Sequence, residues 1–154
     1  MGIRMANLND TPQLMELFDG SLRHMVKLQP WRWRIVPQEK EFAQAAILEP
    51  NGVLYVWEED GRLLGLVSLF VKDREESTIG LPCRYADLDA LYVRTEAKGQ
   101  GIGTALYRAA IQWAKEQGAE RLELMTLGEN ADARVFYAHM GMQEQSVILT
   151  QILT

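Results

Sequence analysis

A single cysteine, Cys83, stands among 154 residues. One thiol cannot close a disulfide within the chain, so a reduced, cytoplasmic setting is expected. Histidine is nearly as scarce: His24 and His139 lie far apart, with no cysteine or acidic cluster at ligand spacing, and no metal site is expected. No apolar run approaches the roughly 20 residues of a membrane span, and "MGIRMANLND" lacks the apolar stretch of a secretory leader. Gly2 could suggest a myristoyl signal, but Ala6 stands where that signal wants Ser or Thr. Positive charge is in deficit, with 16 Lys and Arg against 21 Asp and Glu, a net −5. That weighs against a nucleic-acid binder working through bulk charge and suits a neutral or cationic partner. Repeats, low-complexity stretches and interdomain linkers are also missing.

What is present is ordinary for a globular chain: 47% hydrophobic and 24% charged residues. The length suits one domain, residues 1–154, able to bury roughly 70% of its unfolded surface. "GIRMAN" reads as a first strand. A helix follows in "NDTPQLMELFDGSLRHM", where Thr11 can cap, Pro12 fits the first helical position, and Leu14, Leu17, Phe18, Leu22 and Met25 share a face. "VKLQPWRWRIVP" is a Trp- and Arg-rich loop, and "QEKEFAQAAILEP" a shorter helix stopped by Pro50. Two apolar runs, "GVLYVW" and "LLGLVSLFV", flank Asp60-Gly61, a strong hairpin signal because the tight turn needs positive φ. After the polar "KDREESTIGLPC" come a strand "RYADLDALYV", a glycine segment, and a helix with Ile102, Leu106, Ala109, Ala110 and Trp113 on one stripe, ended by Gly118. "RLELMTL" is a strand, "NADARVFYAHM" a helix and "SVILTQIL" a last strand. The order βααβββαβαβ predicts one α/β domain with a mixed sheet.

The glycine segment, "AKGQGIGTAL", carries Gly99, Gly101 and Gly103 just ahead of a helix. Glycine inside regular structure costs roughly 0.5–1 kcal/mol against alanine, so backbone must come close to something or turn sharply. A dinucleotide fingerprint fails on spacing, since Thr104 or Leu106 stands where its third glycine belongs, and no P-loop tripeptide occurs. The physics of an anion site remains: a strand ends, glycines bare the N–H groups, and a helix N-terminus follows with partial positive charge. The competing reading is a glycine turn that lets the helix pack on the sheet.

"LYVRTEAKGQGIGTAL" resembles the acyl-CoA-binding motif of the GNAT superfamily of N-acetyltransferases, Gln/Arg-x-x-Gly-x-Gly/Ala, with Lys98 in the first place. "NADARVFYAHMGM" resembles that family's later Asn-x-x-Ala-x-x-Phe-Tyr motif, with Met142 where an aromatic usually stands. The two occur in order about 30 residues apart, and the element order matches. The resemblance implies a mostly antiparallel mixed sheet flanked by helices and splayed between strands four and five by a bulge near Leu91–Val93. It implies acetyl-CoA as donor: backbone amides of Lys98, Gly99, Gln100, Gly101, Ile102, Gly103 and Thr104 around the pyrophosphate, Val93 pairing with the pantetheine arm, and the Leu91 N–H polarising the thioester carbonyl. Tyr137 takes the place of the family's general acid beside the sulfur; a core pair with Phe136 is its structural alternative. Asn130 would bind cofactor or cap its helix.

Acetyl transfer also needs a neutral amine, and an alkylamine of pKa ~10 is only about one part in a thousand neutral at pH 7. Asp87 and Asp89, two apart on a strand, share a face. Asp89, four before Val93, matches an acidic position of the family and is a candidate base, directly or through water; Asp87 is a candidate amine contact. Trp31 and Trp33 lie where the family walls its acceptor pocket and could stack on a cation, while Arg32 and Arg34 read as solvated. The expectation is direct transfer to a primary amine, a small cationic one, with a possible homodimer and no nucleic-acid or membrane partner. The rival readings are protein or peptide N-acetylation and a non-catalytic acyl-CoA sensor.

Overall fold

The computed structural model describes residues 2–154. Five strands form one sheet in the order β1-β2-β3-β4-β5. They are β1 (Gly2–Met5), β2 (Gly52–Glu59), β3 (Arg62–Arg74), β4 (Cys83–Val93) and β5 (Arg121–Leu124). The first four are antiparallel to their neighbours, and β5 runs parallel to β4. Between β1 and β2 lie α1 (Thr11–Leu28) and α2 (Lys40–Leu48); α3 (Ile102–Glu116) links β4 to β5, and α4 (Ala131–His139) follows β5.

Each helix forms because an apolar stripe has a sheet face to cover. Leu14, Leu17 and Phe18 of α1 and Ala43 of α2 are buried with Leu54, Val56, Leu63 and Leu66 on one face. Ile102, Leu106, Tyr107, Ala110 and Ala114 of α3 are buried with Val53, Val67, Leu69, Ala86 and Leu88 on the other. Full burial of one such leucine or valine stabilises by roughly 1.5–3 kcal/mol. The β2–β3 hairpin turns at Asp60 (φ +52°) and Gly61 (φ +77°), the left-handed pair the sequence implied.

Two local readings change. Thr11 does not cap α1: Asp10 is at the N-cap without a side-chain cap bond, and the Thr11 hydroxyl donates to the Leu8 carbonyl at 2.6 Å. The Asp10 carboxylate instead accepts two bonds from the Arg4 guanidinium, each 2.8 Å, and one from the Asn7 N–H. More consequentially, "SVILTQIL" forms no strand; residues 143–154 make no backbone–backbone hydrogen bond among the described residues. Its apolar residues, consecutive at 147–149 and 152–153, are fit for a strand, but a strand also needs an edge to hydrogen-bond to, and this segment makes no such bond among the described residues. No helix is long and apolar enough to cross a membrane among the described residues.

Candidate active site

The sheet opens where the site was expected. β4 extends to Val93, but β5 pairs only with its residues Tyr85–Leu88. Leu91 and Val93 stay in register with Val67 and Gly65 of β3, while their β5-facing side has no strand partner among the described residues. The expected splay is therefore present.

The bulge lies two residues upstream of its expected place. Ser68 pairs with Ala90 and Leu69 with Leu88, which leaves Asp89 as the extra residue. One extra residue in a period-two strand inverts which face each later side chain meets. Ala86 and Leu88 pack under α3, whereas Ala90 and Tyr92 pack under α1 and α2, and Leu91 and Val93 return to the α3 side. Asp87, alternating with Ala86 and Leu88, and Asp89 both lie on the face away from α3, as the simple alternation implied; the inversion falls after Asp89, at Ala90, and the two carboxylates are close enough to interact.

On the α3 side, the chain leaves β4 through a short 3-10 turn, Thr95–Ala97, into the glycine segment. Gly99 and Gly101 both have φ of +80°, and a Cβ at either would meet no protein atom within 4 Å. Their glycines therefore serve the backbone's left-handed turns, not close packing, and the space before them is open. The N–H groups of residues 99–104 have no hydrogen-bond acceptor among the described residues; the next amide, of Ala105, bonds the Gly101 carbonyl at 3.0 Å. Six unpaired donors wrapped about the positive end of a 15-residue helix make a fitting cradle for a pyrophosphate. Gly103 differs: its Cβ position lies 3.8 Å from Val93 and 3.9 Å from the Phe136 ring, so there the packing reading holds as well.

Tyr137 belongs to the aromatic cluster under α3, with its ring 5.2 Å from Phe136 and 6.1 Å from Tyr107. Burial first, and Tyr107 second, push its pKa up to about 12. The phenol is therefore neutral at pH 7, in the form that can give a proton. Asn130 caps α4: its Oδ1 accepts from the Ala133 N–H at 3.2 Å.

On the opposite face, Asp89 borders a cleft of about 170 Å³ formed by Phe42, Ala45 and Ala46 of α2 and Glu49 just after it, with Ser68, Leu69 and Phe70 of β3. That volume suits a small molecule or the end of a larger one. Asp89 is accessible along one side yet hemmed in. Desolvation first, and the charge of Asp87 second, hold its carboxyl above the ordinary range, while Lys72 opposes them. Asp87 is ion-paired with Lys72 at 3.0 Å. A larger hollow of about 430 Å³ between α3 and α4 contains none of the expected site residues, so the chemistry favours the smaller cleft.

The tryptophan loop lies elsewhere on the molecule's rim. Trp33 donates from Nε1 to the Gln29 Oε1 at 3.1 Å, and Gln29, 8% exposed, donates to Glu129 at 2.9 Å. The loop is thereby tied to the residue before Asn130 and does not line the Asp89 cleft. Trp31 remains exposed. Arg32 is not simply solvated: its guanidinium stacks 4.6 Å above the Trp33 ring. Sequence reasoning missed Phe42, Phe70, Gln29 and Glu129. Gln29 and Glu129 stand 100 positions apart, and no local pattern joins them.

The family model described as "Acetyltransferase (GNAT) family" matches residues 12–142. An uncharacterized N-acetyltransferase of Methanocaldococcus jannaschii is 31% identical over 95% of this chain, which spans 62% of that relative's length. An aminoglycoside N(6')-acetyltransferase type 1 of Klebsiella aerogenes is 35% identical over 68% of this chain and 67% of its own. Among solved structures, a mutant protein from Bacillus halodurans superposes with a TM-score of 0.95 over the whole of both chains at 21% identity, a likeness of fold.

Proposed function

The chain belongs to the acetyltransferase (GNAT) family, and from that premise we propose that it transfers the acetyl group of acetyl-CoA directly to a primary amine, with a small cationic amine as acceptor. One observation carries this reading: unpaired amides lie on the α3 side of the sheet, a carboxylate-edged cleft lies on the α2 side, and β4 between them parts from β5 beyond Leu88. Donor and acceptor can then reach the same gap from opposite sides, which is what direct transfer requires.

Acetyl-CoA supplies the activated acyl group. The unpaired amides of residues 99–104 bind its phosphates, and Val93 offers its free strand edge to the pantetheine arm. The Leu91 N–H polarises the thioester carbonyl. Asp89, its basicity enhanced by partial desolvation, accepts the proton of the attacking amine directly or through water. Tyr137 gives its phenolic proton to the departing thiolate as the C–S bond breaks and the C–N bond forms. The aminoglycoside acetyltransferase among the relatives supports an amine acceptor.

The test is a rate panel of diamines, monoamines, neutral and acidic amino compounds and peptides, read as CoA thiol release. Diamines are expected to outperform monoamines of equal length. Asp87→Asn should raise acceptor KM with little change in kcat; its exposed pairing with Lys72 is weak enough for a substrate ammonium to compete. Equal rates across the panel, or a preference for an acidic or neutral compound, would overturn the cationic acceptor. Turnover of peptides alone would establish the peptide reading in its place.

A further inference from the structure

Residues 125–154 carry Asn130 and Tyr137, yet they are lightly fastened to the rest of the chain. Among the described residues a single hydrogen bond joins them to residues 1–120: Gln29 Nε2 donates to Glu129 Oε2 at 2.9 Å. Their other attachment is packing, with Phe136, Tyr137, Met140 and Met142 against the core under α3. The two ends of the bond stand on opposite sides of the splay. Gln29 closes the C-terminal end of α1, whose Leu14, Leu17 and Phe18 are buried with Leu63 and Leu66 of β3 and whose Gly20 abuts Tyr92 of β4. Glu129 lies in the loop that leaves β5, next to the residue that caps α4. β4 and β5 pair only as far as Leu88 and Leu124. Beyond those residues no strand pairing joins the two sides, and the bond does.

Gln29 is the fixed member of the pair. Its backbone N–H donates to the Met25 carbonyl at 2.9 Å, and its own carbonyl accepts from the N–H groups of Arg32 and Trp33, each at 3.1 Å. Its Oε1 is taken by the Trp33 indole. A carboxylate only accepts and an indole N–H only donates, so one orientation of the amide serves both. The residue is buried, and a buried amide left without a partner is costly. Glu129 supplies that partner. The Gln29 amide first, and its own backbone second, hold the Glu129 carboxyl below its ordinary range, so the bond is charge-assisted at neutral pH. Gln29 also opens the tryptophan loop, whose far end begins α2, the wall of the Asp89 cleft.

We propose that Gln29 and Glu129 are positioning residues for acetyl transfer: their bond holds the arm that carries Tyr137 in place against the free edge of β4 and links that placement to the tryptophan loop. The role rests on the acetyl-transfer reading above. In that reading the thioester lies along Leu91 and Val93 on one side of the splay, and the phenol that protonates its sulfur lies on the other. Neither residue touches the reacting atoms. Glu129 acts through the start of α4: its carbonyl accepts from the Ala131 N–H at 3.0 Å, Asn130 caps the helix, and Tyr137 follows about two turns on. Packing against Tyr107 fixes the arm on the α3 side, and the Gln29–Glu129 bond fixes it to α1.

The test is a swap. Gln29→Glu keeps an acceptor for the Trp33 indole but sets two carboxylates against each other. Gln29→Glu combined with Glu129→Gln restores both bonds, because the carboxylate then accepts from the indole and from the new amide. Three readouts are taken well below each melting midpoint: amide hydrogen exchange over residues 125–131, acetyl-CoA affinity by calorimetry, and kcat by thiol release. In Gln29→Glu, exchange should rise and kcat should fall about tenfold or more, since a displacement of roughly 1 Å can cost 10²-fold. Acetyl-CoA affinity should stay almost unchanged, because the unpaired amides lie on the α3 side. The swapped pair should return exchange and kcat to the parent values. Should Gln29→Glu fail to fold, Glu129→Ala, which truncates an exposed side chain, is expected to show the same two losses. Unchanged exchange in a folded single variant overturns the bridge. Raised exchange with unchanged kcat, or losses that the swap does not repair, overturn the positioning role. A parent chain that acetylates no amine or peptide overturns acetyl transfer and the catalytic role with it, while the exchange data still decide whether the bond holds the arm.

Discussion

Gly101→Ala separates backbone strain from ligand contact. Gly101 has φ of +80°, and its Cβ position meets no protein atom within 4 Å. The substitution therefore creates no clash inside the protein, and its cost to the fold is the left-handed penalty, roughly 1–2 kcal/mol for a non-glycine residue. At about 2–4 °C per kcal/mol for a domain of this size, the thermal midpoint should fall by about 2–8 °C. Binding should suffer separately. The new methyl projects into the open space before the unpaired amides of residues 99–104, where a pyrophosphate would lie. Holding the phosphates one methyl radius away loses several charge-assisted bonds, and a tenfold loss of acetyl-CoA affinity, about 1.4 kcal/mol, is the minimum expected. Gly118 supplies the control, for it too has positive φ (+77°) and an open Cβ position, but it ends α3 at the other pole. Gly118→Ala should match the melting loss and leave affinity alone. Calorimetric titration with acetyl-CoA, beside thermal melts of both variants, reads the two effects. If Gly101→Ala binds within twofold of the parent, the glycines serve only the turn, and the cradle is refuted.

Tyr137→Phe keeps the ring that packs beside Phe136 and Tyr107 and removes only the hydroxyl; kcat should fall by roughly 10²-fold with acetyl-CoA KM almost unchanged, measured by steady-state thiol release. Asp89 is held above its unfolded pKa, so its ionised form costs stability: the cost is absent at pH below the unfolded value of 3.8 and grows as pH rises through the higher folded value. Asp89→Asn should accordingly raise the thermal midpoint at pH 7 while it lowers kcat/KM and flattens the alkaline rise of the pH–rate profile; a lower midpoint with unchanged activity would assign Asp89 to the scaffold. Gly20 of α1 is pressed against the Tyr92 ring, with Cζ 2.7 Å from the place a Cβ would occupy. Gly20→Ala should destabilise by about 1–3 kcal/mol through overpacking, and a Tyr92→Ala background should cancel most of that loss in a double-mutant cycle by denaturant unfolding.

Local chemistry made much of this protein legible from its sequence. The Asp60–Gly61 hairpin, the glycine turns at 99 and 101, the stop at Gly118 and the buried faces of α1 and α3 each follow from residues within a few positions of one another. Steric rules and helical periodicity operate over that range. Tertiary structure decided whatever depends on a partner strand or a distant side chain. The bulge at Asp89 shows only in the register against β3, where Ser68 and Leu69 skip a residue, and that skip returns Leu91 and Val93 to the α3 side while Asp89 keeps the α2 side. Gln29 finds Trp33 and Glu129 only once the chain has brought together residues 100 positions apart. The last apolar segment makes the same point in reverse. Its pattern specifies what a strand there would look like, but hydrogen bonds to a neighbour make a strand, and residues 143–154 find none within the chain's own described residues. Periodicity is a property of one segment, whereas register, bulges and strand pairing are properties of two.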